Sequence, residues 1–185
     1  MKFKELFRVL FGKLTPYESA QKERFFSYLK AQRCSTFLAV TETNKGSDAA
    51  NMETRLNALN GHEYSISGEK CLIGHGADAP IGVLMARRSR SPLGICAVLL
   101  TPEELNKSEV ERRPLKMLGL RGARLAKISL NQLRIPEENV LGLHLSPIKG
   151  GMMAMMKTFN RMRPAVAAFA IGHAQAVLDY ACLNS

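Results

Sequence analysis

The apolar residues of this chain follow a helical period at both ends and a strand-like pattern between them. Near the amino terminus they recur every three or four residues, which predicts an amphipathic helix over 2–14. They are Phe3, Leu6, Phe7, Leu10, Phe11 and Leu14. Such a helix is typical of a targeting presequence, of a membrane-surface helix, or of a helix that packs on the rest of the fold. A second helix is predicted from Pro16 to about Ala31. Its inward-facing residues are predicted to be Phe25, Phe26 and Leu29.

The middle of the chain contains apolar runs of strand length separated by polar turns. The predicted strands are 36–41, 52–59, 62–67, 80–86, 93–100 and 126–135. Asn60-Gly61 is a strong two-residue hairpin signal, because both residue types tolerate positive φ. Pro102-Glu103-Glu104 predicts a short helical turn inside a loop. Several short strands at close intervals favour an antiparallel sandwich or barrel.

Gly150-Gly151 marks a break, after which 152–183 reads as one long helix rich in alanine and methionine. This helix is apolar on most sides, so it is predicted to be buried, although few partners for it are encoded in the chain. His173 within it is predicted to be a core or interface residue. No apolar run reaches the roughly 18 residues of a membrane helix, so no membrane span is predicted.

Composition and charge narrow the classes of function. The formal net charge of +10 favours anionic partners such as nucleic acid, a membrane surface, an acidic carrier protein, coenzyme A or FAD, or else describes a solvated basic surface. Nucleic-acid binding is disfavoured because aromatic residues do not interleave with the basic ones. The cysteines are Cys34, Cys71, Cys96 and Cys182. Their wide spacing argues against a zinc site and a disulfide framework, so no metal is expected and a reducing compartment is favoured.

The segment from Leu38 to Asp48 carries the most chemical information. An apolar strand ends at the hydroxyl residue Thr41 and is followed by a polar turn containing Gly46 and Ser47. Such a turn presents backbone N–H groups and hydroxyls that can hold a phosphate or the polar edge of a ring. The alternative is that both hydroxyls only cap a turn.

Five segments, taken in order, resemble the acyl-CoA dehydrogenase family, the flavoproteins that introduce a double bond into acyl thioesters. Four of them read VTETNKGSD at 40–48, GEKCLIGHG at 68–76, GLRGA at 119–123 and IPEENVLG at 135–142. The fifth, 163–181, is similar to the first long helix after the family's β domain. Order and spacing agree over roughly residues 15–181.

The resemblance implies an α+β fold with an antiparallel β-sandwich or barrel as its middle domain. Residues 1–33 would be the end of an N-terminal helical domain, 34–141 the β domain, and 142–185 the start of a C-terminal helical domain. Family members form dimers and tetramers, so a homo- or hetero-oligomer is expected. The expected location is the cytoplasm, or the mitochondrial matrix if the source is eukaryotic.

The resemblance also implies FAD as cofactor and an acyl thioester, carried by coenzyme A or an acyl carrier protein, as substrate. The implied flavin contacts are Leu38, Val40, Thr41, Gly46, Ser47, Leu72, Ile73 and Gly74. The implied substrate contacts are Ser47, Asn160 and Arg163. Arginines 87, 88 and 90 lie where a loop touches coenzyme A in some family members, or form a solvated loop.

The chain departs from the family pattern at several positions. Leu72, Ile73 and Gly74 replace the usual Trp-Ile-Thr, which removes an aromatic wall and a hydroxyl and costs about 1–3 kcal/mol in cofactor binding. Thr43 replaces a proline. Lys45 replaces a small residue and either reaches a phosphate or is solvated.

A catalytic base is not identified in this sequence. The family's glutamate lies beyond residue 185 or, in a minority, just before the helix arginine, where this chain has Met162. Removal of an α proton needs a carboxylate, so no catalytic residue is predicted. Three interpretations follow: a partial chain of a dehydrogenase, a non-catalytic module that binds an acyl thioester or a carrier protein, or one subunit of a hetero-oligomeric dehydrogenase.

Overall fold

The structure, a computed structural model, describes residues 16–60, 62–143 and 151–184. The helices in these ranges are α1 (Pro16–Gln32), α2 (Pro102–Leu105) and α3 (Gly151–Leu183). The strands are β1 (Thr36–Ala39), β2 (Arg55–Ala58), β3 (Glu63–Ile73), β4 (Ile81–Arg87), β5 (Ile95–Leu100), β6 (Val110–Pro114), β7 (Ala126–Pro136) and β8 (Val140–Leu141). The predicted helix over 2–14 lies outside the described residues. The α+β class and the flanking helices are confirmed.

Helix α1 has a clear stop signal. Pro16 is its first described residue, and the fixed φ of proline is compatible with the first turn of a helix. It ends before Arg33, whose φ of 46° is left-handed and whose N–H donates to the Leu29 carbonyl over 3.0 Å. The buried Gln21 anchors the helix to the β domain by donating to the carbonyl of Glu138 over 2.6 Å.

The strands form one mixed sheet in the order β6-β7-β3-β2-β4-β5-β8, with β1 paired to β4. Most pairings are antiparallel, as predicted, and β2 pairs antiparallel with β3, the next strand along the chain. The pairs β1–β4 and β2–β4 are parallel, which the pattern did not predict. Both β1 and β2 therefore lie beside β4, which brings the segment between them to one end of the sheet.

The core lies on both faces of the sheet. All six residues of β5 are buried, because one face packs in the main core with Leu56 and Ile66 and the other packs under α3. This second cluster joins Val40 and Met52 to Met155. Since burial on both faces produces a continuous apolar run, β5 was predictable from its sequence.

Helix α3 contacts the sheet only through its first turns. Ala154 and Met155 are buried, whereas residues 160–183 are exposed, so the predicted burial of the whole helix is not seen. By length and composition α3 could cross a membrane, with a mean hydropathy of 1.4 over its most apolar window. Core helices of soluble proteins meet the same criterion, so the feature assigns no membrane span. His173 is exposed, with Nδ1 2.9 Å from the Phe169 carbonyl oxygen.

Candidate flavin-edge and anion site

The two segments predicted to hold a flavin lie side by side. Strand β1 ends at Ala39, and the chain continues through Val40 and Thr41 next to the end of β3. The Cys71 N–H donates to the Thr41 carbonyl over 2.8 Å. Thr41 is half-buried and Leu72 is 54% exposed, so the backbone between them borders solvent. The structure thus brings together the predicted residues Val40, Thr41 and Leu72.

The polar turn after Thr41 is a tight, closed loop. Glu42 and Lys45 exchange two backbone hydrogen bonds of 3.2 Å each, which closes a turn around Thr43 and Asn44. Lys45 Nζ lies 3.7 Å from the Asp48 carboxylate, so this lysine has a partner within its own turn. Gly46 and Ser47 are exposed, and within the described part of the chain no hydrogen bond of the Ser47 hydroxyl is found. That hydroxyl can therefore serve a ligand.

The second segment is a strained turn. Leu72 has φ 59° and His75 has φ 55°, both in the left-handed region that costs non-glycine residues free energy. Ile73 is 2% exposed and packs in the main core, so only its backbone can meet a ligand. Gly74 is exposed, so among the three predicted residues it is Leu72 and Gly74 that offer surface.

Helix α3 begins beside Ile95 and Cys96, at the start of β5. Its early residues Met152, Met156 and Phe159 pack against the cluster that contains Val40. The predicted substrate contacts follow within a turn: Arg163 donates to the Asn160 side-chain oxygen over 3.2 Å, and both are exposed. The structure places this pair on the exposed stretch of the helix, beyond its buried residues Ala154 and Met155. The predicted flavin contact Leu38 is partly exposed on β1.

A basic recess lies between the ends of β2 and β4. A cavity of about 170 Å³ is lined by Arg55, Asn57, Arg87, Arg88, Ser89 and Arg90. Arg87 ends β4 rather than lying in the loop, and its guanidinium donates to three backbone carbonyls, including that of Met52 over 3.0 Å. Arg87 therefore shapes the loop, while Arg55 and Arg90 are exposed and form no ion pair among the described residues. The Arg88 guanidinium lies over the Tyr64 ring, 5.8 Å from its centroid.

Sequence reasoning missed a buried ion pair under the strand end. Lys70 is fully buried, and its ammonium lies 2.9 Å from the carboxylate of Glu42, which is itself buried. Glu42 Oε1 also accepts from the Thr54 N–H over 2.9 Å and the Thr54 hydroxyl over 2.6 Å, and Oε2 accepts from the Glu53 N–H. Ile66, Gly68 and Lys70 are two residues apart and therefore lie on one face of a strand. This spacing was the signal that could have placed Lys70 on the buried face.

The pKa values of both Glu42 and Lys70 are shifted in this buried pair. Burial raises the pKa of the Glu42 carboxyl, but hydrogen bonds from Thr54, Glu53 and Lys70 outweigh burial and bring the pKa below its ordinary value of 4.5. Burial lowers the pKa of Lys70 below 10.5, and the Glu42 carboxylate opposes that shift. An ionised carboxylate with every neighbour donating to it is a poor proton acceptor, so Glu42 is not a candidate for a catalytic base.

The exposed features fit the polar edge of a flavin. Hydrogen-bonding groups are offered by the half-buried Thr41 hydroxyl, the exposed Gly74 and the turn at Gly46-Ser47. His75 Nδ1 is buried without a hydrogen-bond partner among the described residues, 3.8 Å from Asp78 Oδ1. A buried polar atom without a partner is unfavourable unless a ligand or water meets it. The exposed Leu72 supplies apolar surface where the family has an aromatic wall.

An eight-stranded mixed sheet followed by one long helix is the architecture of a β domain joined to a helical segment. The sequence model for the middle domain of acyl-CoA dehydrogenases matches residues 37–133, more than half of the chain. The protein belongs to the acyl-CoA dehydrogenase family.

Relatives cover most of this chain but are much longer. It is 33% identical over 161 residues to the probable acyl-CoA dehydrogenase YngJ of Bacillus subtilis, covering 86% of this chain and 41% of that protein. It is 32% identical over 160 residues to cyclohexane-1-carbonyl-CoA dehydrogenase of Geobacter metallireducens, covering 85% and 40%. The chain therefore spans about two fifths of the length of these relatives.

Solved structures agree on the fold. A glutaryl-coenzyme A dehydrogenase in complex with glutaryl-CoA superposes with a TM-score of 0.74 at 25% identity, covering 86% of this chain and 39% of that one. A glutaryl-CoA dehydrogenase of Mycobacterium smegmatis in complex with FADH2 superposes with a TM-score of 0.68 at 22% identity, covering 86% and 37%. The second likeness concerns the fold alone.

Proposed function

We propose that this chain supplies the flavin-contacting β-domain half of an acyl-CoA dehydrogenase, with FAD lying along Thr41 and Leu72. The observation that supports this most directly is the 2.8 Å bond between Cys71 and Thr41, which joins the two implied flavin segments. FAD, when bound there, would supply the acceptor for a hydride from the Cβ atom of an acyl thioester. The α,β-dehydrogenation needs in addition a carboxylate that takes the α proton.

That carboxylate is proposed to come from outside this sequence. Glu42 is buried and saturated with donors, and the thioether of Met162 cannot accept a proton at the alternative family position. The chain's own contribution is then to bind and orient. Thr41 and Ser47 would hold the flavin edge, and Ser47, Asn160 and Arg163 would contact the thioester.

Replacing Thr41 or Ser47 with alanine is expected to weaken FAD binding about tenfold each, the effect of losing one hydrogen bond to a polar ligand edge. Titration of the full chain with FAD, followed by flavin absorbance and fluorescence, measures the affinity. Thr36→Ala is a matched control, because this β1 threonine donates to the Ile81 carbonyl over 2.9 Å, within the β1–β4 pairing. Equal affinities in all three variants would contradict the assigned contacts, and no FAD binding by the unmodified chain would contradict the function.

The basic recess is proposed to bind the phosphates of coenzyme A. Arg55 and Arg90 are exposed beside Arg88 and Ser89 around one cavity, and guanidinium groups bind phosphate with charge-assisted hydrogen bonds. Two occupants fit that chemistry, coenzyme A and the phosphopantetheine of an acyl carrier protein.

The double variant Arg55→Ala/Arg90→Ala is expected to weaken coenzyme A binding by about ten- to a hundredfold, because two charge-assisted contacts are lost. Isothermal titration with coenzyme A at two salt concentrations measures this, and the variant should show the smaller salt dependence. Arg113→Ala is the control, since Arg113 lies on β6 at the far edge of the sheet and pairs with Glu111 over 3.4 Å. A double variant that binds like Arg113→Ala would rule out the recess.

If the protein takes up no flavin, the basic recess favours the alternative function, which is a non-catalytic module that binds acyl thioesters or a carrier protein. The widely spaced cysteines, with no C-x-x-C motif, suit a reducing compartment, and we place the protein in the cytoplasm or the mitochondrial matrix. The exposed apolar residues of α3, which include Val166, Phe169 and Ile171, favour association with helices of a second copy or of another subunit.

A further inference from the structure

The buried Lys70 ties strand β3 to a segment that is not its sheet neighbour. Its ammonium donates to the Val40 carbonyl over 3.0 Å and to Glu42 Oε1 over 2.9 Å, and lies 3.8 Å from the sulfur of Met52. All three contacts belong to the stretch 40–52 between β1 and β2. Lys70 is followed at once by Cys71 and Leu72, which border the proposed flavin edge.

Glu42 continues the same connection to a third segment. Its carboxylate accepts the Thr54 N–H and hydroxyl and the Glu53 N–H, directly before β2. Both carboxylate oxygens are therefore occupied by donors from within the fold. The pair has little surface with which to meet a ligand, since Lys70 is 0% and Glu42 6% exposed.

The contacts fix the backbone where the flavin edge would lie. The Val40 carbonyl is held by Lys70, and the next carbonyl, that of Thr41, is held by the Cys71 N–H over 2.8 Å. Because both carbonyls accept hydrogen bonds from β3, the orientation of the peptide between them is fixed. The direction in which the Thr41 side chain points is fixed with it. A ligand that binds to such a preorganised backbone does not lose free energy to ordering that backbone.

We propose that Lys70 and Glu42 are positioning residues that hold the Val40–Thr41 backbone against Cys71–Leu72 in the geometry that binds the flavin edge. This inference rests on the proposed flavin site. Lys70 and Glu42, which belong to the segments 68–76 and 40–48, would then act inside the fold by supporting the residues that contact the ligand.

A neutral pair tests the inference without leaving a lone buried charge. In Lys70→Met/Glu42→Gln the methionine keeps the apolar stem, and the glutamine keeps an oxygen that can accept from Thr54. The bond to the Val40 carbonyl is lost. The matched control is Lys127→Met, which breaks a pair of 2.5 Å with Glu69, the residue next to Lys70, where both side chains are about one third exposed.

Two readouts on the full chain separate the outcomes. Amide hydrogen exchange of Cys71, whose N–H bonds to Thr41, reports the backbone contact with no ligand present. Val98 on β5, which pairs with β4 on one side and β8 on the other, serves as the internal reference. Titration with FAD reports the site. In the double variant we expect Cys71 exchange to accelerate about tenfold or more relative to Val98, and FAD affinity to fall about tenfold or more, as for the loss of a hydrogen bond to a charged donor. Lys127→Met should change neither.

Each other outcome contradicts a specific statement. Unchanged Cys71 exchange in the double variant overturns the positioning role, whatever the FAD affinity. Faster exchange with unchanged FAD affinity also overturns it, because the contact then does not serve the site. If the unmodified chain binds no FAD, the proposed function fails, and the positioning of a flavin edge fails with it. Faster exchange of Cys71 in the double variant would still show that Lys70 and Glu42 support the backbone contact, even if the unmodified chain binds no FAD.

Discussion

Replacing Lys70 with methionine is expected to lower the free energy of unfolding by about 3–5 kcal/mol, as when one member of a buried ion pair is removed. The ammonium is fully buried, 2.9 Å from the Glu42 carboxylate, and methionine leaves that carboxylate without its cation. Methionine retains most of the apolar stem, so the loss reflects charge and hydrogen bonding rather than a cavity. Urea denaturation at neutral pH of the variant and the unmodified protein measures the difference.

The acid dependence of stability should weaken in the Lys70→Met variant. In the unmodified protein the pKa of Glu42 lies below 4.5, so its contribution to stability is fully present above pH 4.5 and is lost as the pH falls through the folded-state pKa. Without Lys70, one of the groups that lower the pKa of Glu42 is lost while burial remains, so that pKa should rise. The variant should then lose less stability on acidification than the unmodified protein does.

Denaturation of both proteins between about pH 4 and pH 8 measures the two slopes. The control is Lys127→Met, whose pair with Glu69 is partly exposed and is expected to be worth less than about 1 kcal/mol. If Lys70→Met and Lys127→Met destabilise the protein equally, Lys70 does not form the buried ion pair described above.

Replacing Gly68 with alanine is expected to destabilise the protein by about 1–3 kcal/mol through overpacking and by about as much again through backbone strain. Gly68 has φ 147°, and a Cβ built on it would lie 2.6 Å from Thr54 Cα and 2.7 Å from its hydroxyl oxygen. The close approach occurs at a register shift between β3 and β7. Because Thr54 donates to Glu42, the added methyl group should displace the donor of the carboxylate as well.

Thermal and urea denaturation measure the Gly68→Ala effect. Gly119→Ala is the matched control, because nothing lies within 4 Å of a Cβ at that position and its φ is not left-handed. We expect that control to change stability by less than about 0.5 kcal/mol. Similar stability of the two alanine variants would show that Thr54 does not approach Gly68 as closely as described.

Much of the fold follows from local sequence patterns. The apolar run at 93–100 predicts β5, Pro16 predicts the start of α1, and Asn60-Gly61 predicts the β2–β3 hairpin. Strand β6 was not predicted, because its residues Val110–Pro114 carry three charges and no apolar alternation. An edge strand is held mainly by backbone hydrogen bonds to its neighbour, which leave little trace in side-chain pattern.

The candidate site was predictable in part. The segments 40–48 and 68–76 were singled out as a pair, and the structure places Thr41 beside Cys71. The structure adds where individual side chains lie: Ile73 lies in the core, and Asn160 and Arg163 lie on the exposed part of α3. The orientation of a residue at a strand end or in a turn depends on local backbone angles, such as the φ of 59° at Leu72, which composition does not reveal.

The amino-acid sequence alone determined the family, the order of helices and strands, and the two segments that meet at the strand end, because these depend on local patterns and on motifs. Only the tertiary structure decided that Lys70 and Glu42 are buried together, that β1 and β2 run parallel to β4, and that most of α3 is exposed. A charged residue on a strand is ordinarily assigned to the surface, and its burial depends on a partner brought from a distant segment. Here that partner is 28 residues away along the chain and 2.9 Å away in space.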